Sequence, residues 1–130
     1  ASAVSTSGNP DCHVILRGGE NGPNYHQSSV RSALKNIEQS GFHPSLMIDA
    51  SHANCAKDYQ KMPGVFEDIV RQRAEGNTGI AGVMLESNLL AGNQSFPRPL
   101  GDLTYGQSIT DSCIDWGTTE KLLRSAATAL

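Results

Sequence analysis

The sequence predicts an α/β fold built on a parallel sheet, and three observations carry that expectation. Three short apolar runs, residues 12–16, 46–48 and 80–85, each break abruptly into polar residues. Each run is followed by a segment whose apolar residues recur at helical spacing. The polar residues at the three exits, Arg17, His52 and Glu86, fall 35 and then 34 residues apart. Strands alternating with helices demand parallel pairing through right-handed crossovers. All three exits therefore face one carboxyl edge, where loops are free to vary and ligands bind.

Taken in order, residues 1–10 are small and polar and read as a loop or a frayed end. The run from Cys12 through Val14, Ile15 and Leu16 lacks alternation, which implies a strand buried on both faces. Asn21, Gly22, Pro23 and Asn24 make a turn-rich loop. Ser28 or Ser29 can cap a helix with Val30, Ala33, Leu34 and Ile37 inward, and Gly41 is its stop. Leu46, Met47 and Ile48 form the second strand, which empties into Asp49, Ser51, His52 and Asn54, groups that need partners once desolvated. Pro63 can begin a second helix with Val65, Phe66, Ile69 and Val70 inward, ended by Gly76 and Asn77. After the third strand comes a loop through Gly92, Pro97, Pro99, Gly101 and Tyr105 to Asp111, too long for a mere connector. Thr118 or Thr119 then caps a last helix with an apolar stripe of Leu122, Leu123, Ala126 and Ala127.

Composition narrows the function classes. The chain has 130 residues, 38% apolar and 18% charged, consistent with one soluble globular domain. A net charge of −3 without a basic run argues against nucleic acid. No apolar run approaches the roughly 20 residues of a membrane helix, and residues 1–9 carry no secretion signal. Cys12, Cys55 and Cys113 are odd in number and in no CxxC arrangement, which suits a reducing, cytoplasmic setting. Cys55, three residues after His52, reads as a space-filling thiol, with a His and Cys metal pair as the alternative.

The three exits and the long loop bring Arg17, Asp49, His52, Asn54, Glu86 and Asp111 to one rim. A histidine and two acids from separate loops form a nitrogen and oxygen set suited to Mn, Fe, Co or Zn. Arg17 beside Gly18 and Gly19 suits an oxyanion such as phosphate, because a guanidinium forks onto two oxygens and glycines allow close backbone approach. The competing reading is a structural ion pair between Arg17 and Glu86, with His52 a hydrogen-bonded loop residue. Trp116 and Tyr105 read as packing or loop anchors. The Lys57, Asp58 and Lys61 cluster reads as solvated surface or, for a lysine, the edge of a phosphate pocket. His13, His26 and His43 read as structural or exposed.

A set of motifs in sequence order carries a specific resemblance. They are Asn9-Pro10-Asp11-Cys12-His13-Val14-Ile15-Leu16-Arg17-Gly18-Gly19, Pro23-Asn24-Tyr25, Met47-Ile48-Asp49-Ala50-Ser51-His52-Ala53-Asn54, Gly82-Val83-Met84-Leu85-Glu86-Ser87, Gly92-Asn93-Gln94 and residues 105–116 from Tyr105 to Trp116. Together they resemble the carboxy-terminal part of the microbial 3-deoxy-D-arabino-heptulosonate 7-phosphate (DAHP) synthases. The resemblance implies the last three βα units of a (β/α)8 barrel that condenses phosphoenolpyruvate with erythrose 4-phosphate, the first step of the shikimate pathway. It further implies that His52, Glu86 and Asp111 hold a divalent metal and that Arg17 binds the phosphate of phosphoenolpyruvate. Asp111 would also hold the sugar phosphate through a hydroxyl, and His52 and Asp111 would serve the chemistry itself.

The family's fourth ligand, a cysteine near its amino end, and the adjoining Lys-Pro-Arg-Thr stretch have no counterpart here, and Asn93 and Gln94 match a motif without assigned chemistry. A closed barrel takes about 250 residues, so the expectation is an incomplete barrel that lacks activity alone and needs the amino-terminal part. The parent is expected to be homo-oligomeric. Two other readings are an assembly module that dimerises through open strand edges and a flavodoxin-like phosphate-binding domain, for which Arg17-Gly18-Gly19 is too short a phosphate loop.

Overall fold

The computed structural model describes residues 2–9 and 11–130, so Ala1 and Pro10, part of the expected amino-terminal loop, lie outside the described residues. The order of elements is β1 (Val14–Leu16), α1 (Gln27–Gln39), β2 (Leu46–Asp49), α2 (Met62–Ala74), β3 (Ile80–Met84) and α3 (Trp116–Ala129). Short 3-10 turns occur at His52–Cys55, Tyr59–Lys61 and Leu100–Asp102. The strands form one parallel sheet in the order β1-β2-β3. Leu16 pairs with Ile48, and Asp49 pairs with Met84, so the three exits share one edge as the alternation of elements requires. Among the described residues no helix is long and apolar enough to cross a membrane.

One face of the sheet is covered. Leu46, Ile48 and Ile80 meet Val30, Phe66, Ile69 and Leu122 from the three helices in a single core. Each of these side chains contributes about 1.5–3 kcal/mol by leaving water. Ile15 and Met47 point to the opposite face by strand alternation and lie outside that core. There Met47 spreads over Gly82, where a Cβ would come within 3.2 Å of its Cε. A register shift between Leu46 and Met47 keeps both faces in phase.

Several local expectations are corrected. β1 is not buried on both faces: Val14 is 42% exposed at the strand's unpaired edge, and Ile15 is 41% exposed on the face that no helix covers. Neither Ser28 nor Ser29 caps α1; the capping position falls to His26, which offers no side-chain bond. The cap of α3 is Asp115, whose carboxylate accepts the Thr118 N–H at 2.6 Å. Thr119 instead lies inside the helix, its hydroxyl donating to the Asp115 carbonyl at 2.9 Å and meeting Ser87 Oγ at 2.6 Å. Only Leu122 and Ala126 of the expected stripe face the core, while Leu123 is exposed, since α3 touches α2 along a narrow seam. Pro63 does sit in the first turn of α2, and Gly41 and Gly76 follow α1 and α2 with φ of 82° and 102°.

Candidate metal centre

The end of β2 builds the inner half of the site. The backbone turns immediately after Asp49, and His52 takes a φ of 49°, a left-handed conformation uncommon outside glycine. Its carbonyl is held by the Lys57 N–H at 2.8 Å and the Cys55 thiol at 3.4 Å. Asp49 is fully buried and spends both oxygens locally. Oδ1 accepts the Ser51 N–H at 2.7 Å and Oδ2 lies 2.5 Å from His52 Nδ1. A carboxylate only accepts, so Nδ1 is the donor of this pair and Nε2 is the ring nitrogen turned toward the rim. The Ser51 hydroxyl, also buried, accepts the Glu86 N–H at 2.9 Å and thereby ties the end of β3 to the end of β2.

His52 Nε2 faces Glu86 Oε1 at 3.5 Å and Asp111 Oδ2 at 3.8 Å. One ligand atom from each residue lies within 4.8 Å of the others. With Nε2 unprotonated, all three groups offer lone pairs here, an arrangement that a cation among them would relieve. The 3.5 and 3.8 Å separations from His52 Nε2 are those of donors that share one divalent ion, and the second nitrogen of the histidine is fixed by a buried carboxylate. Burial holds the Glu86 carboxyl above the usual carboxylate range; the facing His52 pulls it down, Asp111 and Asp49 push it up, and Arg17 pulls it down again.

Asp111 reaches this point from the far end of the long loop, and amide side chains fold that loop. Gln94 donates to the carbonyls of Thr104 and Gln107 at 2.8 and 2.9 Å and accepts the Thr104 N–H at 2.8 Å. Asn93 donates to the Thr110 carbonyl at 2.8 Å, directly before Asp111. Gly106, at a φ of 79°, passes so close to Leu89 that a Cβ would approach to 2.7 Å. Asn93 and Gln94, which carry no chemistry in the sequence reading, are thus the staples that return Asp111 to the rim. Polar amides inside a long loop are the only sequence signal for this, and it is a weak one.

His52, Glu86 and Asp111 converge, then, and Arg17 stands apart. His52, Glu86 and Asp111 line a pocket of about 200 Å³ with Lys57, Asn93 and Ser112 among its other walls. Arg17 leaves β1 on the same edge but is not a wall of this pocket. Among the described residues it forms no ion pair with Glu86, so that structural reading is not realised; only its longer-range charge reaches the acid. Gly18 does not open space for a ligand. At a φ of 74° it packs against Ala53 and Asn54, whose backbone a Cβ would approach to 2.8 Å.

Other readings resolve simply. Cys55 is 2% exposed, packs in the core and spends its sulfur on the His52 carbonyl, so it fills space rather than joining the ligands. Burial pushes its thiol up. Tyr105 and Trp116 are not packing anchors: they are 89% and 56% exposed because the loop and the first turn of α3 turn them outward. Lys61 pairs with Asp58 at 3.5 Å on the surface, whereas Lys57 reaches the pocket. His13, His26 and His43 are exposed.

A parallel α/β sheet with a His, Glu and Asp group at its carboxyl edge defines an α/β protein with a candidate metal site at its strand ends. Sequence comparison makes the assignment specific: residues 1–124 match the DAHP synthetase I family, and the chain belongs to it. It is 50% identical over 121 residues to the Tyr-sensitive phospho-2-dehydro-3-deoxyheptonate aldolase of Escherichia coli K12, covering 93% of this chain and 34% of that protein. It is 46% identical over 130 residues to the phospho-2-dehydro-3-deoxyheptonate aldolase of Haemophilus influenzae, covering all of this chain and 36% of that one. The structure of phospho-2-dehydro-3-deoxyheptonate aldolase from Francisella tularensis superimposes with a TM-score of 0.87 at 44% identity, over 95% of this chain and 36% of that chain. The chain therefore spans about a third of the length of these relatives.

Proposed function

We propose that this chain is the carboxy-terminal part of a (β/α)8 DAHP synthase that condenses phosphoenolpyruvate with erythrose 4-phosphate and releases phosphate. The observation that carries the reading is the convergence of His52 Nε2, Glu86 and Asp111, with the other nitrogen of His52 locked by a buried aspartate. In this reading His52, Glu86 and Asp111 hold the divalent metal. Such an ion, when bound, acts as a Lewis acid that polarises a carbonyl oxygen.

The remaining roles belong to the chain itself. Arg17 forks onto the phosphate of phosphoenolpyruvate and anchors that substrate at the rim. Asp111, the most exposed of the three acids and bases, accepts a hydroxyl of the sugar phosphate and orients its aldehyde toward the enol carbon. Asp49 keeps the imidazole in one tautomer and one orientation. The free edge of β1, with Val14 open, and the uncovered face of the sheet, with Ile15 open, are where the preceding strand of the barrel would pair and the barrel interior would fill.

The test is a steady-state assay of phosphate release. The full-length synthase carrying this segment turns over with a divalent metal and stops with a chelator, and the isolated 130-residue chain is silent. Metal-independent turnover of the full-length protein, or turnover by the isolated chain, would overturn the reading.

A further inference from the structure

The segment that carries Arg17 is bolted to the turn that carries His52, through two asparagines that no part of the chemistry uses. Asn54 is 4% exposed. Its side-chain amide donates to the Leu16 carbonyl at 3.0 Å and to the Asp49 carbonyl at 2.7 Å, and its Oδ1 accepts the Asn24 backbone N–H at 2.7 Å. Asn24 in turn accepts the Gly18 N–H on its own Oδ1 at 2.7 Å. The carbonyl before Arg17 and the N–H after it are therefore both gripped, one by Asn54 and the other by Asn24. The contact of Gly18 with the backbone of Ala53 and Asn54 seats the same turn from a third side.

The burial and completeness of this network distinguish it from an ordinary loop bond. Every polar atom of the Asn54 side chain is used, in a buried place where an unmade bond would leave a desolvated group without a partner. One end of the network is the backbone of Asp49, whose carboxylate orients His52; the other is the backbone on either side of Arg17. Neither asparagine belongs to the His52, Glu86 and Asp111 group. We infer that Asn24 and Asn54 are positioning residues that set the separation between the Arg17 guanidinium and the metal centre, and so the affinity for the phosphate-bearing enolpyruvate substrate. This inference rests on the roles proposed above for Arg17 and for the metal group.

The experiment is a kinetic comparison in the full-length synthase. Asn24→Ala removes the acceptor for the Gly18 N–H while leaving the Asn24 backbone bond to Asn54 in place, which makes it the milder variant. The KM for phosphoenolpyruvate is expected to rise about tenfold, as misplacement of a binding group by a fraction of an ångström does. The KM for erythrose 4-phosphate, the affinity for Mn measured by calorimetry and the unfolding midpoint stay near parental values. Asn24→Asp, which retains an acceptor at the same place, restores the phosphoenolpyruvate KM to within about threefold. In an Arg17→Ala background Asn24→Ala adds no further rise, because the group it positions is gone.

An unchanged phosphoenolpyruvate KM in Asn24→Ala overturns the inference. So does an equal rise for both substrates accompanied by a lower unfolding midpoint, which is the mark of a structural role alone. Full additivity with Arg17→Ala overturns it as well. If the parental full-length protein shows no metal-dependent condensation, the proposed function itself fails and takes the inference with it. A parental enzyme that turns over normally while Asn24→Ala is silent on KM defeats the inference alone.

Discussion

The two halves of the candidate metal centre are built by opposite means. Asp49 and His52 are three residues apart, their carboxylate and ring are in direct contact, and the turn between them is buried and knotted by Ser51 and Asn54. Asp111 arrives after a loop of some two dozen residues past Glu86, largely exposed, and depends on Asn93, Gln94 and a glycine contact for its return. The first half is preorganised by short-range bonds with little loop entropy to overcome, whereas the second has its closure entropy offset by hydrogen bonds that water can compete for. The same ligand set therefore contains a stiff member and a soft one, and substitutions on the two sides should differ in what they cost.

The largest effect is expected on the stiff side. His52→Ala should abolish tight metal binding and reduce turnover of the full-length enzyme by about 100-fold or more, read by calorimetry and phosphate release. Asp49→Asn, which swaps the acceptor beside His52 Nδ1 for an amide free to rotate, should lower metal affinity by about 10–100-fold, measured by competition with a chelator. On the soft side, Gln94→Ala deletes three bonds but leaves Asp111 itself, so metal affinity should fall only about fivefold. Its signature is faster amide exchange through residues 104–110, with exchange in β2 unchanged. A Gln94 variant as damaging as Asp49→Asn would erase the contrast.

The smallest effect lies outside the site and calibrates the others. Thr118 donates its N–H to Asp115 and holds that carboxyl below the usual carboxylate range. The folded chain then binds fewer protons than the unfolded one below an ordinary pKa of 3.8. The cap is therefore fully stabilising at neutral pH and is lost as pH falls through the lowered value. Asp115→Ala should lower the thermal midpoint slightly at neutral pH, and the gap to the parental protein should narrow as pH falls below 3.8.

Much of the architecture was legible because it follows from short-range pattern. The apolar runs at 46–48 and 80–85, the i, i+3, i+4, i+7 spacing of Val30, Ala33, Leu34 and Ile37, and Pro63 each mark an element where one is found. The caps were misread because Ser28, Ser29, Thr118 and Thr119 are all chemically suitable, and choosing among suitable residues depends on a backbone angle that composition does not encode. The exposure of β1 was misread for a related reason: an apolar run reports the burial a strand is suited to, and its neighbours decide the burial it has. His52 and Glu86 were legible as a pair because alternating strands and helices force their exits onto one edge, whereas Asp111 joins them by way of the long loop. Arg17 shares the edge and still stands off from the pocket, since an edge is a line and sharing it does not bring two side chains together.

By itself, the sequence determined which residue types reach the carboxyl edge and which faces of the helices turn inward, because strand and helix periods are properties of the local chain. Only the tertiary structure decided that Asp49 uses its carboxylate on His52, that Gln94 folds the loop bearing Asp111, and that Asn54 and Asn24 join the Arg17 turn to the His52 turn. Those choices are made by hydrogen bonds whose partners are distant in sequence or ambiguous in type, and a buried polar atom takes whichever partner packing brings within reach.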